Sequence, residues 1–280
     1  MTTNRPDYLM LGHFTRDLLP DGAITPGGTS FYAARTVERL GKQVAVVSAP
    51  ADLPADWPAA IWLSFRPELS PPTFENRYTP QGRVQILHTD SGAISLSDIP
   101  EAWRHAEVVH LGPIAAETPE DLVFSFPNAL LGVTPQGWMR EWGQLPGPIS
   151  YKPWRPAPAI LQRIDALVLS IEDVRGDEAL VHEYAQHCRL VLLTRSAQGA
   201  TLFLNGEANH IAAFPAEERD PTGAGDVFAA SLLVRLAETR DPFAAARFAA
   251  CVAAGSVEGR GVSAIPTRQQ VEQRLQQSVG

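Results

Sequence analysis

Short apolar runs separated by loops dominate the first half of this chain, and longer helical patterns take over in the second. Tyr8 to Phe14, Gln43 to Ser48, Ala166 to Ser170 and Leu190 to Thr194 have the length and apolar content of strands, and Val108 to Leu111 and Leu130 to Thr134 read as buried parallel strands. A helix is predicted from about Ser30 to Leu40, closed by Gly41, with Val37 and Leu40 toward the core. Residues 49 to 72 are rich in Pro and Ala, and Ile61 to Phe65 is their strand candidate. Thr73 to Thr79 and Arg83 to His88 alternate around P-Q-G as a hairpin does, and Ala200 to Leu204 and His210 to Phe214 do so around N-G-E. Helical patterns cover Val227 to Leu236, Pro242 to Val257 and Thr267 to about Gln277, the last of them polar and expected on the surface. Strand–loop–helix units of this kind mark an α/β protein with a largely parallel sheet.

At 280 residues the chain is long enough for one large α/β domain. Its net charge of −8 and lack of a basic block argue against nucleic acid or an anionic membrane as main partner. The apolar runs fall far short of a membrane span, and the N-terminus lacks a signal-peptide core. Cys188 and Cys251 read as free, buried thiols in a reducing cytoplasm. His182 and His187 do not share a helix face, and the histidines show no convincing metal spacing. Trp138, Trp142 and Trp154 are expected to pack over the sheet.

The candidate chemistry lies in D-P-T-G-A-G-D, Asp220 to Asp226, directly before a helix. Gly223 and Gly225 permit backbone angles that turn successive N–H groups toward one point, and the helix dipole adds positive potential there. Such a nest suits a phosphoryl group in flight, and Asp226 in the first helical turn is placed to take the proton of an attacking alcohol. The bland alternative is an ordinary helix start capped by Asp220 or Thr222. Gly27 and Gly28, at a loop-to-helix turn, let a ligand approach the backbone, and Asp17 on the loop before them can accept hydrogen bonds from adjacent hydroxyls. Glu172 and Asp173 read either as an acidic site or as a charged helix start. No Walker-type phosphate loop is present in the sequence.

The full heptad resembles the C-terminal signature of the ribokinase-like (PfkB) family of sugar and nucleoside kinases, and P-G-G-T-S-F-Y-A-A-R resembles its N-terminal one. The resemblance implies a three-layer α/β/α sandwich, with a central mostly parallel sheet, as a single domain over residues 1–280. It also implies a small β lid from about residues 60–90, which covers the substrate and forms a dimer interface in many members. Glu75, Asn76, Arg77 and Tyr78 become candidate lid contacts. The resemblance makes Asp226 the general base, with Gly223, Ala224 and Gly225 around the transferred phosphate. Asp17, Gly27 and Gly28 would hold the acceptor, with Tyr32 where many members carry Asn. ATP would meet Thr194 and Gly199 in a T-x-S-x-x-G variant of the family's Thr-x-Gly-x-x-Gly motif, together with Thr222 and the backbone near Gly255, which also supports a monovalent cation such as K+ in the family. Asp173, with Glu172 adjacent, stands for the acid that organises Mg2+ through water, while Ser170 replaces the motif's Asn. The implied activity is ATP-dependent phosphorylation of a hydroxyl on a sugar or polyol in the cytoplasm, with an inositol-like acceptor favoured. A nucleoside kinase and a catalytically idle sugar-binding member remain open, the latter because of Tyr32, Ser170 and Ser196.

Overall fold

The computed structural model describes residues 5–79 and 82–278. Its main sheet has nine strands: β1 (Tyr8–Leu11), β4 (Val44–Ser48), β5 (Trp62–Phe65), β8 (Val108–Leu111), β9 (Leu130–Val133), β13 (Ala166–Ser170), β14 (Leu190–Thr194), β15 (Ala200–Leu204) and β16 (Glu207–Ile211). They lie in the order β16-β15-β14-β13-β9-β8-β1-β4-β5, parallel throughout except for the hairpin of β15 and β16 at one edge. Alternating residues of each central strand enter two different cores. Tyr8, Met10, Val44 and Val46 pack with the layer of α1 (Thr29–Arg39), α4 (Ala224–Thr239) and α5 (Pro242–Ser256). Leu9, Leu11, Ala45 and Val47 pack with the layer of α2 (Pro158–Arg163) and α3 (Glu178–His187). Burial on both faces explains why these strands are continuous apolar runs in the sequence. The last helix, α6 (Arg268–Gln277), is capped by Thr267 and anchored through buried Val271.

The strand order reverses between β1 and β8. The chain runs from β1 outward through β4 and β5 on one side, and from β8 outward through β9, β13 and β14 on the other. Such a reversal opens a crevice beyond the carboxyl ends of the strands. Backbones there approach too closely for side chains. A Cβ on Gly12 would come within 2.4 Å of the Gly112 carbonyl, and one on Gly112 within 2.7 Å of Thr29 Cγ2.

A second sheet of five strands covers the crevice, in the order β11-β7-β6-β2-β3. It is made of β2 (Thr15–Leu18), β3 (Ile24–Gly27), β6 (Thr73–Thr79), β7 (Gly82–Thr89) and β11 (Gly147–Pro148). It therefore draws on residues 15–27 and 147–148 as well as on 73–89, whereas β5, inside the range expected for a lid, belongs to the main sheet. Asp17, expected on a loop, lies on β2, because the chain turns back into this sheet directly after β1.

Several boundaries differ from expectation for local reasons. Asn205 and Gly206 both have positive φ, so the turn is the two-residue kind and Glu207 already belongs to β16. Glu172 and Asp173 do not open a helix. Residues 171–176 form turns with positive φ at Arg175 and Gly176, and α3 begins later, capped by Asp177, whose side chain accepts from Leu180 N. Trp138 and Trp154 are buried, with ring centroids 4.8 Å apart, but Trp142 packs under the second sheet with Phe74, Leu87 and Ile114. Both cysteines are free and buried.

Helix α4 sits on β9 through a missing side chain, since a Cβ on Gly132 would lie 2.2 Å from Leu233 Cδ1. Gly132→Ala should lower stability by about 1–3 kcal/mol in urea unfolding, and shortening Leu233 to Val in the same chain should recover part of the loss.

Candidate active site

The chain after β16 reaches α4 through the heptad, and hydrogen bonds fix its path. Arg219 N and Asp220 N donate to Val257 O at 2.8 and 3.2 Å. The Asp220 carboxylate accepts from Thr222 N at 3.0 Å and from Gly261 N at 3.2 Å, tying the heptad to the loop after α5. Burial works against this charge, but hydrogen bonding from the Thr222 side chain, the two N–H bonds and nearby Arg260 prevail and hold the carboxyl below its usual range. Neither Asp220 nor Thr222 caps α4. The N-cap is Gly223 at φ 78°, a left-handed conformation that suits glycine. Its freedom serves packing as well, because a Cβ there would fall 2.3 Å from the Tyr32 ring.

This geometry sorts the amides of the nest. Ala224 N donates to Pro221 O at 3.1 Å, whereas the amides of Gly223, Gly225 and Asp226 have no acceptor among the described residues. They belong to the unpaired donors at the start of a helix, where an anion is stabilised.

Asp226 stands half-buried in the first turn of α4. Burial raises its carboxyl to about 6; the charge of Asp173 adds to the rise, while hydrogen bonding from Thr29 and the charge of Arg140 oppose it. Tyr32 is buried in α1, and burial followed by the charges of Asp226, Asp220 and Asp17 pushes its phenol well above the usual value. The phenol therefore stays protonated and keeps a hydrogen to donate. Gly27 faces the Asp17 carboxylate, where a Cβ would lie 2.6 Å from Oδ2, and Thr15 Oγ1 donates to Asp17 Oδ1 at 3.4 Å. Gly28, at φ 87°, caps α1.

On the far side of the crevice, Asp173 Oδ2 accepts from Ser170 N at 2.8 Å, Ser170 Oγ accepts from Asp173 N at 3.0 Å, and Gln136 Nε2 donates to Asp173 Oδ1 at 3.0 Å. Ser170 is thus the brace of this acid. Thr194 is its in-register neighbour on β14, and Ile171 N donates to Thr194 O at 3.0 Å. Ser196, where the resemblance expects glycine, has φ 50°, and Gly199 at φ 85° lies where a Cβ would meet Ile211 O at 2.2 Å. Among the described residues no group of three His, Cys, Asp or Glu side chains is arranged around a metal position. Magnesium needs few direct protein ligands, and the mutual repulsion of Asp173 and Asp226 is what a dication relieves, so the acids present fit that ion.

Two further expected contributors have these settings. Glu172 is exposed. Gly255 lines a cavity of about 200 Å³ between α5 and α6 with Arg39, Cys251, Glu258 and Arg274. In the second sheet Asn76 falls on the Phe74 face, while Glu75 and Arg77 alternate to the other and pair with each other and with His88. The Tyr78 side chain lies outside the described residues.

Sequence reasoning missed the segment Gln136–Arg140. It also missed the buried groups that pin the loops around the crevice. Glu117 accepts from the amides of His13, Ile114 and Ala115 at 2.7 to 3.1 Å. His13 Nδ1 accepts from Ala49 N at 2.9 Å, so Nε2 carries the hydrogen that goes to Gly92 O at 3.0 Å. His110, between the Tyr8 and Thr134 hydroxyls, is driven down to about 3 by burial and is neutral. Isolated polar letters within or beside apolar runs, such as Glu117 and His110, were the available signal.

Residues 166–268 match the model of the pfkB family carbohydrate kinases. Escherichia coli fructokinase is 26% identical over 94% of this chain and 97% of its own. A bifunctional protein HldE from Rhodopseudomonas palustris is 43% identical over 79 residues, 28% of this chain, and the match spans only 16% of that longer protein. Among solved structures, a pyrophosphate-dependent kinase in the ribokinase family, complexed with a pyrophosphate analog and myo-inositol, superposes with TM-score 0.75 at 23% identity over 95% of this chain and 99% of its own. Arabidopsis thaliana ribokinase complexed with ribose and ATP superposes with TM-score 0.71 at 17% identity over 96% and 98%.

The raised carboxyl of Asp226 has a cost in stability. An acid whose folded value exceeds its unfolded one loses stability as pH climbs from about 4 to about 6, by up to about 3 kcal/mol for a shift of this size. Asp226→Asn should therefore unfold at higher urea than the parent at pH 8, and the difference should vanish near pH 3.

Proposed function

We propose that this chain, which belongs to the pfkB family of carbohydrate kinases and has the ribokinase-like fold, transfers the γ-phosphoryl group of ATP to a hydroxyl of a sugar or polyol. The observation that carries the proposal is the joint placement of Asp226 and the unpaired amides of Gly225 and Asp226 at the mouth of the β1/β8 crevice. In it, Asp226 takes the proton of the acceptor hydroxyl as that oxygen attacks phosphorus. A carboxylate near 6 is ionised at neutral pH, yet more basic than an exposed one. The N–H groups of Gly223, Gly225 and Asp226 meet the phosphoryl oxygens. Ala224 supports the turn instead of the anion, because its amide is bonded to Pro221.

Asp17 orients the acceptor from the second sheet, and the Tyr32 phenol donates to it from α1, with Gly27 and Gly28 leaving the approach open. Thr194, Gly199 and Thr222 border the donor phosphates. Asp173, braced by Ser170 and Gln136, holds Mg2+ through water, and the ion when bound neutralises charge on the donor phosphates. An inositol-like polyol is the favoured acceptor. Support comes from the neighbour complexed with myo-inositol and from Tyr32, whose ring narrows the pocket beside Gly223. The same neighbour favours one second reading, in which the donor is pyrophosphate.

The test is product release with the magnesium complex of ATP or of pyrophosphate over myo-inositol, fructose, ribose and adenosine. Turnover with ATP and a sugar or polyol is expected. Turnover with pyrophosphate alone would move the donor assignment, preference for adenosine would move the acceptor, and acceptor binding without turnover under any pairing would overturn the kinase. In the active pairing, Asp226→Asn should lower kcat by about 10²–10⁴-fold with little change in acceptor KM. Because the base works ionised, kcat/KM of the parent should rise with pH and level off above about 6.

A further inference from the structure

The segment after β9, P-Q-G-W-M-R, is held unusually firmly for a loop at a sheet end. Gly137 lies so close to Pro113 that a Cβ would meet its carbonyl carbon at 2.5 Å, and Gly137 N donates to Pro113 O at 2.9 Å. Trp138 Nε1 donates to Thr118 O at 2.7 Å. Arg140 then opens β10 (Arg140–Glu141), paired in antiparallel fashion with β12 (Ser150–Tyr151). A side chain launched from so fixed a base has a fixed reach.

The Arg140 guanidinium donates from Nη1 to Ile114 O at 2.8 Å and lies 5.5 Å above the centre of the Phe74 ring. Phe74 is the in-register partner of Asp17 across the parallel pair of β6 and β2, so the two side chains leave the same face of the second sheet. Arg140 also acts by its charge on Asp226. The cation thus lies on the sheet face of the acid that would grip the acceptor, and its charge reaches the acid that would take its proton. Between those two the new O–P bond must form.

We propose that Arg140 is a catalytic residue of this chain, contributed from outside both of its recognisable motifs, that contacts the phosphoryl group opposite the amide nest. This rests on the kinase proposal. As the acceptor oxygen bonds to phosphorus, the bond from phosphorus to the leaving oxygen breaks, ADP departs with that electron pair, and the hydroxyl proton passes to Asp226. Arg140 changes no bond. Its planar fork spans the Ile114 carbonyl and one phosphoryl oxygen, a geometry that lysine cannot reproduce. The Phe74 ring beneath it couples this charge to the sheet that carries Asp17, so acceptor and cation are positioned together. A purely structural Arg140 would tie the second sheet to the main body, and its loss would be felt in stability and KM.

The experiment compares the parent with Arg140→Met and Arg140→Lys, each checked for an unchanged thermal unfolding midpoint. Phe74→Leu serves as a variant that leaves the charge in place. Two quantities are read: turnover with the active donor and acceptor, and calorimetric binding of magnesium-ADP with aluminium fluoride, a planar anionic mimic, in the presence of acceptor. Arg140→Met is expected to lose about 10²–10³-fold in kcat with acceptor KM changed less than about threefold. It is also expected to lose binding of the mimic, to recover part of its rate in added guanidinium, and to exceed Arg140→Lys and Phe74→Leu in effect. Undiminished kcat in both Arg140 variants, or a loss confined to KM and not rescued, would overturn the assignment while leaving the kinase standing. A parent that never turns over but binds the mimic through Arg140 would refute the kinase and keep the anion contact. A parent that does neither refutes both.

Discussion

Helices α4 and α1 close onto each other and onto the sheet most tightly where side chains are missing. Gly132 gives up its place to Leu233, Gly223 to the ring of Tyr32, and Gly112 to Thr29 and Met10. Each omission shortens a distance by about the depth of a methyl group. Together they bring α4 against β9 and α1, and Thr29 of α1, pressed on the end of β8, hydrogen-bonds Asp226 in the first turn of α4. The position of Asp226 follows from that contact. An α4 lifted by one side-chain layer would leave its carboxylate in water, with an ordinary acidity and nothing for its charge to act on.

The charge pattern of the crevice follows from the same closeness. Asp17, Asp173 and the pair Asp220 and Asp226 come from three separate stretches of chain, and several of them act on one another or on Tyr32. A protein does not gather carboxylates in a half-buried space for stability, because each raises the cost of ionising the next. The arrangement is coherent where cations and a partly neutralised phosphate complete it. Three devices temper the repulsion within the chain: amide bonds to Asp220, the Ser170–Asp173 exchange with Gln136 behind it, and the guanidinium of Arg140.

Rigidity around the crevice comes from buried polar groups whose bonding is closed. Glu117 gathers amides from two loops, and His13 joins the loops after β4 and before the first short turn at Ser95 through both ring nitrogens. Losing either would leave buried donors without acceptors, a far larger penalty than the modest gain each bond supplies. The loops that carry Gly12, Gly112 and Pro113 are held this way in place of regular secondary structure.

The sequence alone determined the central strands, the α/β class and the nest, because burial on both faces and glycine before a helix leave local marks that no distant residue can alter. It located Asp226 for the same reason, and Tyr32 as a departure worth weighing. Only the tertiary structure decided that Asp17 rides on the second sheet, that Ala224 spends its amide on Pro221, that Gly255 lines a cavity between α5 and α6, and that the charge of Arg140 reaches Asp226. Those outcomes depend on which strand lies next to which and on distances between residues far apart in the chain. Periodicity records the face a side chain takes, and strand order decides what that face meets.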